Sequence, residues 1–169
     1  FLYSTLLLVA WTQSLTSLGS ITLASVAIVT GYAMADLLSG LVHWISDTYG
    51  SRDTPIYGRL YAIPFRDHHD DPTAICREGF VESHGINALS VSALLALAFH
   101  GLTFDSGQPI PVALGGITLA TSFGVLVAGQ SHKWAPQKDV PWLVKHCQEI
   151  GLLSHPEAHN LHHDGNHED

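Results

Sequence analysis

Residues 21–50 read ITLASVAIVTGYAMADLLSGLVHWISDTYG, and two features of that stretch decide how the chain folds. Its first half is free of charge, and the whole is long enough for a helix to cross a bilayer core, which takes about 20 apolar residues. Its second half carries Asp36, Gly40, His43 and Asp47 at i, i+4, i+7 and i+11, a single stripe of a helix. Ionisable groups inside a span are costly, so this stripe is expected to face a polar interior rather than lipid. One buried Asp–His bond tying helices together is the plain explanation. The functional one makes His43 a metal ligand and Asp47 its orienting partner or a ligand itself, with Asp36, two turns deeper than His43, farther from the same metal.

Working outward, no Asp, Glu, Lys or Arg precedes Asp36, and this uncharged run is too long for one helix. Ser17-Leu18-Gly19-Ser20 interrupts it, so a first span is expected over roughly 1–17 and a second from near Ile21 to about Tyr49. A secretory signal competes for residues 1–17, but no basic region precedes them and no A-x-A-like site follows. Residues 87–104 and 112–132 are again free of charge and make spans three and four, joined by an Asp/Gly/Pro connector at 105–111. All seven basic residues lie in 50–86 or after 132, which alternating spans put on one side. The positive-inside rule makes that side cytoplasmic, and Trp44, Tyr49 and Trp134 fall where headgroups should be.

The expected fold is therefore all-α and integral to the membrane. Four transmembrane helices carry a cytosolic histidine-rich cap, built from 50–86 and 133–169, as a single domain over 1–169. Pro141 to Leu153 is too short and too polar to span. Its apolar Leu143, Cys147 and Ile150 fit an amphipathic helix in the interface or one packed on the cap, with Pro141 in the first turn.

Composition narrows the function classes. Seven Lys plus Arg against fifteen Asp plus Glu give a net charge of −8, which leaves no basic stripe for nucleic acid. Cys76 and Cys147 cannot build a disulfide framework. Twelve histidines outnumber all the cations, and eleven of them fall on the cytoplasmic side. The exception, His100, lies deep in span three and is read as a packing residue.

His132 ends span four at the depth of His43, and His84 begins span three at the same face. FRDHHDDP at 65–72 reads as a loop offering His68 and His69 among carboxylates. The strongest local signal is SHPEAHNLHHDGNHED at 154–169. Ser154 and Glu157 have capping-box spacing, so a helix from His155 would carry His155, His159 and His162 on one stripe with His163 adjoining. His43, His68, His69, His84, His132, His159, His162 and His163 supply about eight nitrogen donors, twice what one tetrahedral zinc needs, which implies two metals. Imidazole does not choose among zinc, copper, iron and nickel. A nitrogen-rich site against acyl chains favours iron, because oxygen chemistry on lipid C–H bonds needs a redox metal. The other classes are a membrane zinc hydrolase and a metal transporter, separable by metal analysis and oxygen dependence.

The strings ADLLSGLVHWISDTYG at 35–50, PFRDHHDDPTAI at 64–75, FVESHGIN at 80–87, QSHKW at 130–134 and AHNLHH at 158–163 resemble, in order and spacing, the plasmanylethanolamine desaturase (Kua-type lipid desaturase) family. The resemblance implies a non-haem di-iron membrane enzyme that uses O₂ and two electrons to place a double bond in a phospholipid chain. The implied substrate is the alkyl ether chain of an ethanolamine phospholipid, giving the plasmalogen vinyl ether. An acyl-chain desaturase of the phosphatidylglycerol type, or a hydroxylase with the same site, is the neighbouring outcome. A cytochrome b5-like or ferredoxin-like protein would donate electrons, in the endoplasmic reticulum of a eukaryote or the inner membrane of a bacterium.

Family ligand roles carry over to His43, His68, His69, His132, His159, His162 and His163. Glu78 stands where the family has a histidine, and a carboxylate there can still ligate iron. His84 replaces the usual Asn before Gly85 and can supply the missing imidazole from a neighbouring position. Ala158 replaces the first histidine of an HHxxHH string. His167 matches a family position, whereas His155 and His146 rest on spacing alone. The string stops short of the C-terminal continuation the family leads one to expect, as a trimmed chain would.

Overall fold

The computed structural model describes residues 2–13, 15, 17–104 and 109–164, with side chains over 5–6, 8–13, 15, 17–96 and 112–164. In chain order the helices are α1 (Leu2–Gln13), α2 (Leu18–Thr48), a π-helical turn (Gly58–Ala62), α3 (Ile63–Asp70), α4 (Ala74–Arg77), α5 (Phe80–Phe104), α6 (Pro109–Trp134), α7 (Trp142–Glu149) and α8 (Pro156–Asp164). No strand occurs among the described residues. They divide into two compact units, one of 1–38 with 87–126 and the other of 39–86 with 127–169.

Around a buried Trp11, the first unit is packed mainly by small residues and leaves many of its large ones outside. Ala24, Ala27, Ala35, Thr121 and Ser122 are buried, whereas Val29 and Leu37 of α2 are each 68% exposed and Phe123 of α6 is 70% exposed. A water-soluble core does the reverse. Small residues that let helix backbones approach, with apolar side chains turned outward, are the pattern of helices packed in lipid. Gly31 marks the closest approach: a Cβ there would meet the carbonyl oxygen of Ile117 at 2.5 Å. Thr121 Oγ1 donates to the Gly31 carbonyl across the same contact, 3.0 Å. The Trp11 indole N–H donates to the Val112 carbonyl at 2.8 Å, and its ring packs with Ala24, Leu15, Leu95 and Leu119.

Two helices, Leu18–Thr48 and Val112–Trp134, are long and apolar enough to cross a membrane. They correspond to the second and fourth expected spans. The helix in the first is 12 residues, about 18 Å. The third coincides with α5, whose side chains beyond residue 96, His100 among them, lie outside those described.

The second unit corrects several local expectations. The helix bearing span three begins at Phe80, so His84 sits in its second turn rather than at its start. FRDHHDDP is helical as far as Asp70, because the π-helical turn runs directly into α3 and Pro64 stands in its first turn, where no N–H is required. Asp71 ends that helix. The Thr73 hydroxyl and the Arg77 guanidinium hold its carboxyl down to about 2. α7 is shorter than the expected 141–153, and Pro141 is its N-cap rather than a residue of its first turn. Val144 is buried, whereas Trp142, Leu143 and Ile150 are exposed. α8 starts at Pro156 and is capped by His155, whose Nδ1 accepts from the Glu157 N–H at 3.3 Å. Ser154 is not the cap: its N–H is taken by Ser131 Oγ at 2.7 Å.

Candidate metal centre

Four segments of the second unit bring their histidines together: the end of α2, α3, the end of α6, and α8. The outcome is two neighbouring groups of four donors, His68, His132, His159 and His163 in one and His43, Asp47, His69 and His162 in the other. Within each group one ligand atom per residue lies within 4.8 Å of all the others.

Helix periodicity decides who goes where. His43 and Asp47 are one turn apart on α2 and share a group, as are His159 and His163 on α8. Consecutive residues on a helix diverge by about 100°, so each doublet splits. His68 joins the first group and His69 the second, and His163 and His162 divide likewise. The expected stripe of His155, His159 and His162 is thereby corrected, because a three-residue step and a four-residue step from His159 reach different groups. The groups touch: the His69 and His163 ring centroids are 4.5 Å apart, and those of His43 and His132 5.1 Å.

In the first group the Nε2 atom of His68 lies 2.6 Å from that of His132, 3.1 Å from that of His163 and 3.3 Å from that of His159. In the second, Asp47 Oδ2 lies 3.1 Å from His43 Nε2, 3.2 Å from His69 Nε2 and 3.6 Å from His162 Nε2. The Asp47 side chain is only 4% exposed. One nitrogen cannot satisfy three others by sharing protons, since a neutral imidazole offers one N–H and one lone pair. Lone pairs converging on a small volume beside a buried carboxylate are the donor set of a cation. The protonation states agree. Burial, reinforced by the neighbouring imidazoles, holds His68 and His159 down to about 4 and His163 to about 3. At neutral pH all three are in the uncharged form a metal requires.

Other residues set the frame. Phe65 meets the His43 ring edge-on, centroids 4.7 Å apart. Arg66 donates twice to the Gly50 carbonyl, at 2.6 and 3.0 Å, and Arg52 pairs with Asp67 at 2.8 Å, tying the chain after α2 to α3. Sequence reading missed Phe65 and Arg66, whose only signal was their position in the FRDHH string, and Arg52, which stands outside it.

The remaining expected donors lie outside both groups. His84 is buried, stacks on Phe80 and gives its Nδ1–H to the Phe80 carbonyl at 3.2 Å. Its Nε2 is then a bare lone pair with no hydrogen-bond partner among the described residues. Glu78 is exposed, accepts from Ser83 Oγ at 3.1 Å, and receives Lys133 Nζ on its carbonyl at 2.6 Å. Asp36 is exposed and belongs to the first unit, contrary to the polar interior expected for its stripe. His155 and His146 are exposed. His167 lies outside the described residues.

Comparison with known proteins agrees with the motifs. The lipid desaturase domain matches residues 32–169. Over 137 residues the chain is 38% identical to a plasmanylethanolamine desaturase of Myxococcus xanthus, covering 81% of this chain and 48% of that protein. It is 36% identical over 153 residues to plasmanylethanolamine desaturase 1 of Mus musculus, covering 86% and 55%. It is 34% identical over 135 residues to the chloroplastic fatty acid desaturase 4 of Arabidopsis thaliana, covering 79% and 39%. The chain spans about half the length of the curated relatives it matches. No solved structure matches it. With the domain match running over 32–169 and identities of 38% and 36% to two of these relatives, the chain belongs to the lipid desaturase domain family.

Proposed function

We propose that this chain carries the catalytic centre of a membrane di-iron lipid desaturase, acting on the alkyl ether chain of an ethanolamine phospholipid to give the vinyl ether. The observation that carries the reading is the pair of adjacent four-donor groups, seven histidines and one aspartate, drawn from the ends of two helices of membrane-span length and from the short helices α3 and α8. A single zinc would need one such group; two side by side suit a two-metal redox site. Plasmanylethanolamine desaturases among the relatives support the ether lipid, and the desaturase 4 relative keeps an acyl chain as the neighbouring substrate.

The donor sets are His68, His132, His159 and His163 for one iron, and His43, Asp47, His69 and His162 for the other. His84 stands outside both sets, its buried Nε2 without a hydrogen-bond partner among the described residues. When bound, the irons would supply the electron transfer to O₂ that lets two hydrogens leave adjacent carbons. O₂, two electrons delivered one at a time by a cytochrome b5-like or ferredoxin-like donor, two protons from solvent and those two hydrogens balance as one C=C bond and two waters.

The chain's own residues prepare that step. Burial keeps His68, His159 and His163 neutral, Asp47 contributes the one negative charge among the eight donors, and Phe65 packs edge-on against the His43 ring. The protein's further task is orientation, since the carbon pair held nearest the metals is the one that reacts. The basic residues of 50–86 and 133–169 support a centre on the cytoplasmic face of its membrane, the endoplasmic reticulum in a eukaryote or the inner membrane in a bacterium. The test is His68→Ala and His163→Ala, each of which should abolish product formation and lower bound iron together. Full activity in either, or zinc with activity that persists without oxygen, refutes the reading.

A further inference from the structure

The segment between α2 and α3 is more elaborate than a connector needs to be. Residues 52–63 line a half-open cavity of about 590 Å³, with Arg52, Asp53, Ile56, Arg59, Leu60 and Ile63 among its walls, a size in the range of small-molecule sites. Its shape is built in. Ile56 is held at φ +64°, a left-handed conformation that a β-branched side chain strongly resists, and such strain concentrates at ligand clamps. The π-helical turn Gly58–Ala62 forms one wall, and turns of that kind recur at functional sites. Gly58 lets the loop close, since a Cβ there would meet the carbonyl oxygens of Ser51 and Arg52 at 2.7 Å.

The charges in the cavity are of both signs and largely unspent. Arg52 is committed to Asp67 and, at 3.8 Å, to Asp70. The Arg59 guanidinium and the Asp53 carboxylate have no side-chain partner among the described residues. Beside them Ile56 is 79% exposed and Leu60 38% exposed. One free cation, one free anion and an apolar wall match a zwitterion attached to a chain. The depth matches as well. Trp44 and Tyr49, edge to face at 5.4 Å and both exposed, form an aromatic belt at the end of α2, and the cavity begins three residues later, at headgroup level.

We propose that this cavity is a lipid headgroup subsite that takes a phosphoethanolamine, its phosphodiester on Arg59 and its ammonium on Asp53. The proposal rests on the desaturase reading for the identity of the lipid.

The experiment uses the iron-loaded full chain in detergent. Two alkyl lysolipids of equal chain length, one with a phosphoethanolamine and one with a phosphoglycerol headgroup, are titrated calorimetrically. Arg59→Gln should weaken both about tenfold, the worth of one charge-assisted hydrogen bond, and Arg59→Lys should recover part of the loss. Asp53→Asn should weaken the phosphoethanolamine lipid alone. Iron content should stay at the wild-type value in all three, because none of these residues lies in a donor group. Undiminished binding in Arg59→Gln, equal loss of both lipids in Asp53→Asn, or displacement of either by millimolar inorganic phosphate would overturn the subsite. If instead the headgroup discrimination holds while the wild type removes no hydrogens from the ether lipid, the desaturase reading fails and the subsite stands.

Discussion

Replacing Asp47 by Asn separates the two donor groups experimentally. The substitution keeps shape and removes the only negative charge among the eight donors. The carboxylate oxygen it alters stands 3.1, 3.2 and 3.6 Å from three imidazole nitrogens of one group, while the other group contains no carboxylate. Loss of a partner that merely orients a ligand costs about 10–100-fold in metal affinity. A buried donor to the metal itself should cost at least the upper figure, about 100-fold or 2.8 kcal/mol. The assay is iron per polypeptide in purified full-length chain, equilibrated against a graded series of chelator. Asp47→Asn should release one iron about two decades of chelator earlier than the wild type and keep the second at the wild-type midpoint. Product formation should be lost with the first iron. Asp47→Glu, which restores the charge, should recover part of the shift. Two irons held at the wild-type midpoint by Asp47→Asn would refute the assignment of Asp47 to the donor set.

The pH dependence of the metal-free protein follows from the depressed histidines. His68 and His159 titrate near 4 and His163 near 3 in the folded state, against 6.5 in the unfolded chain. Below pH 6.5 the unfolded chain takes up protons that the folded chain refuses, so stability is full above 6.5 and falls as pH drops towards 4 to 3. Thermal unfolding of chelated protein between pH 7.5 and 4 should show this fall, and a flat profile would contradict the burial of these rings. In the first unit, Gly31→Val would drive a side chain into the Ile117 carbonyl oxygen and the Ala120 Cβ, at 2.5 and 2.7 Å from the first added carbon. A cost of about 1–3 kcal/mol is expected from such overpacking, read as a lowered Tm; an unchanged Tm would mean the helices are not so closely apposed.

Seven of the eight expected histidine donors, all but His84, enter the two groups, and they were legible because each lies in a short string whose residue types are unusual in an apolar chain. Asp47 was legible as a partner of His43 because both lie on one turn of α2. The division into groups was not legible in that way. Reading 159–163 as one stripe hid the fact that a doublet on a helix cannot serve one centre, a consequence of the 100° turn per residue. The sequence of α3 reads as a loop because charge and a following Pro dominate its local signal. What makes it a helix is continuity with the π-helical turn before it and the two bonds from Arg66 to the Gly50 carbonyl, 16 residues away. His84 carried the right residue type but stands a turn inside its helix, bonded to Phe80.

By itself the sequence determined the helical class, the long apolar segments and the inventory of donors, because periodicity, charge exclusion and residue chemistry are properties of neighbours along the chain. Tertiary structure alone decided which donors fall in one group, whether Asp36 joins them, and that residues 52–63 line a half-open amphipathic cavity. Each of these depends on distances between atoms far apart in sequence, such as the 2.6 Å between His68 and His132, and no local pattern encodes such a distance.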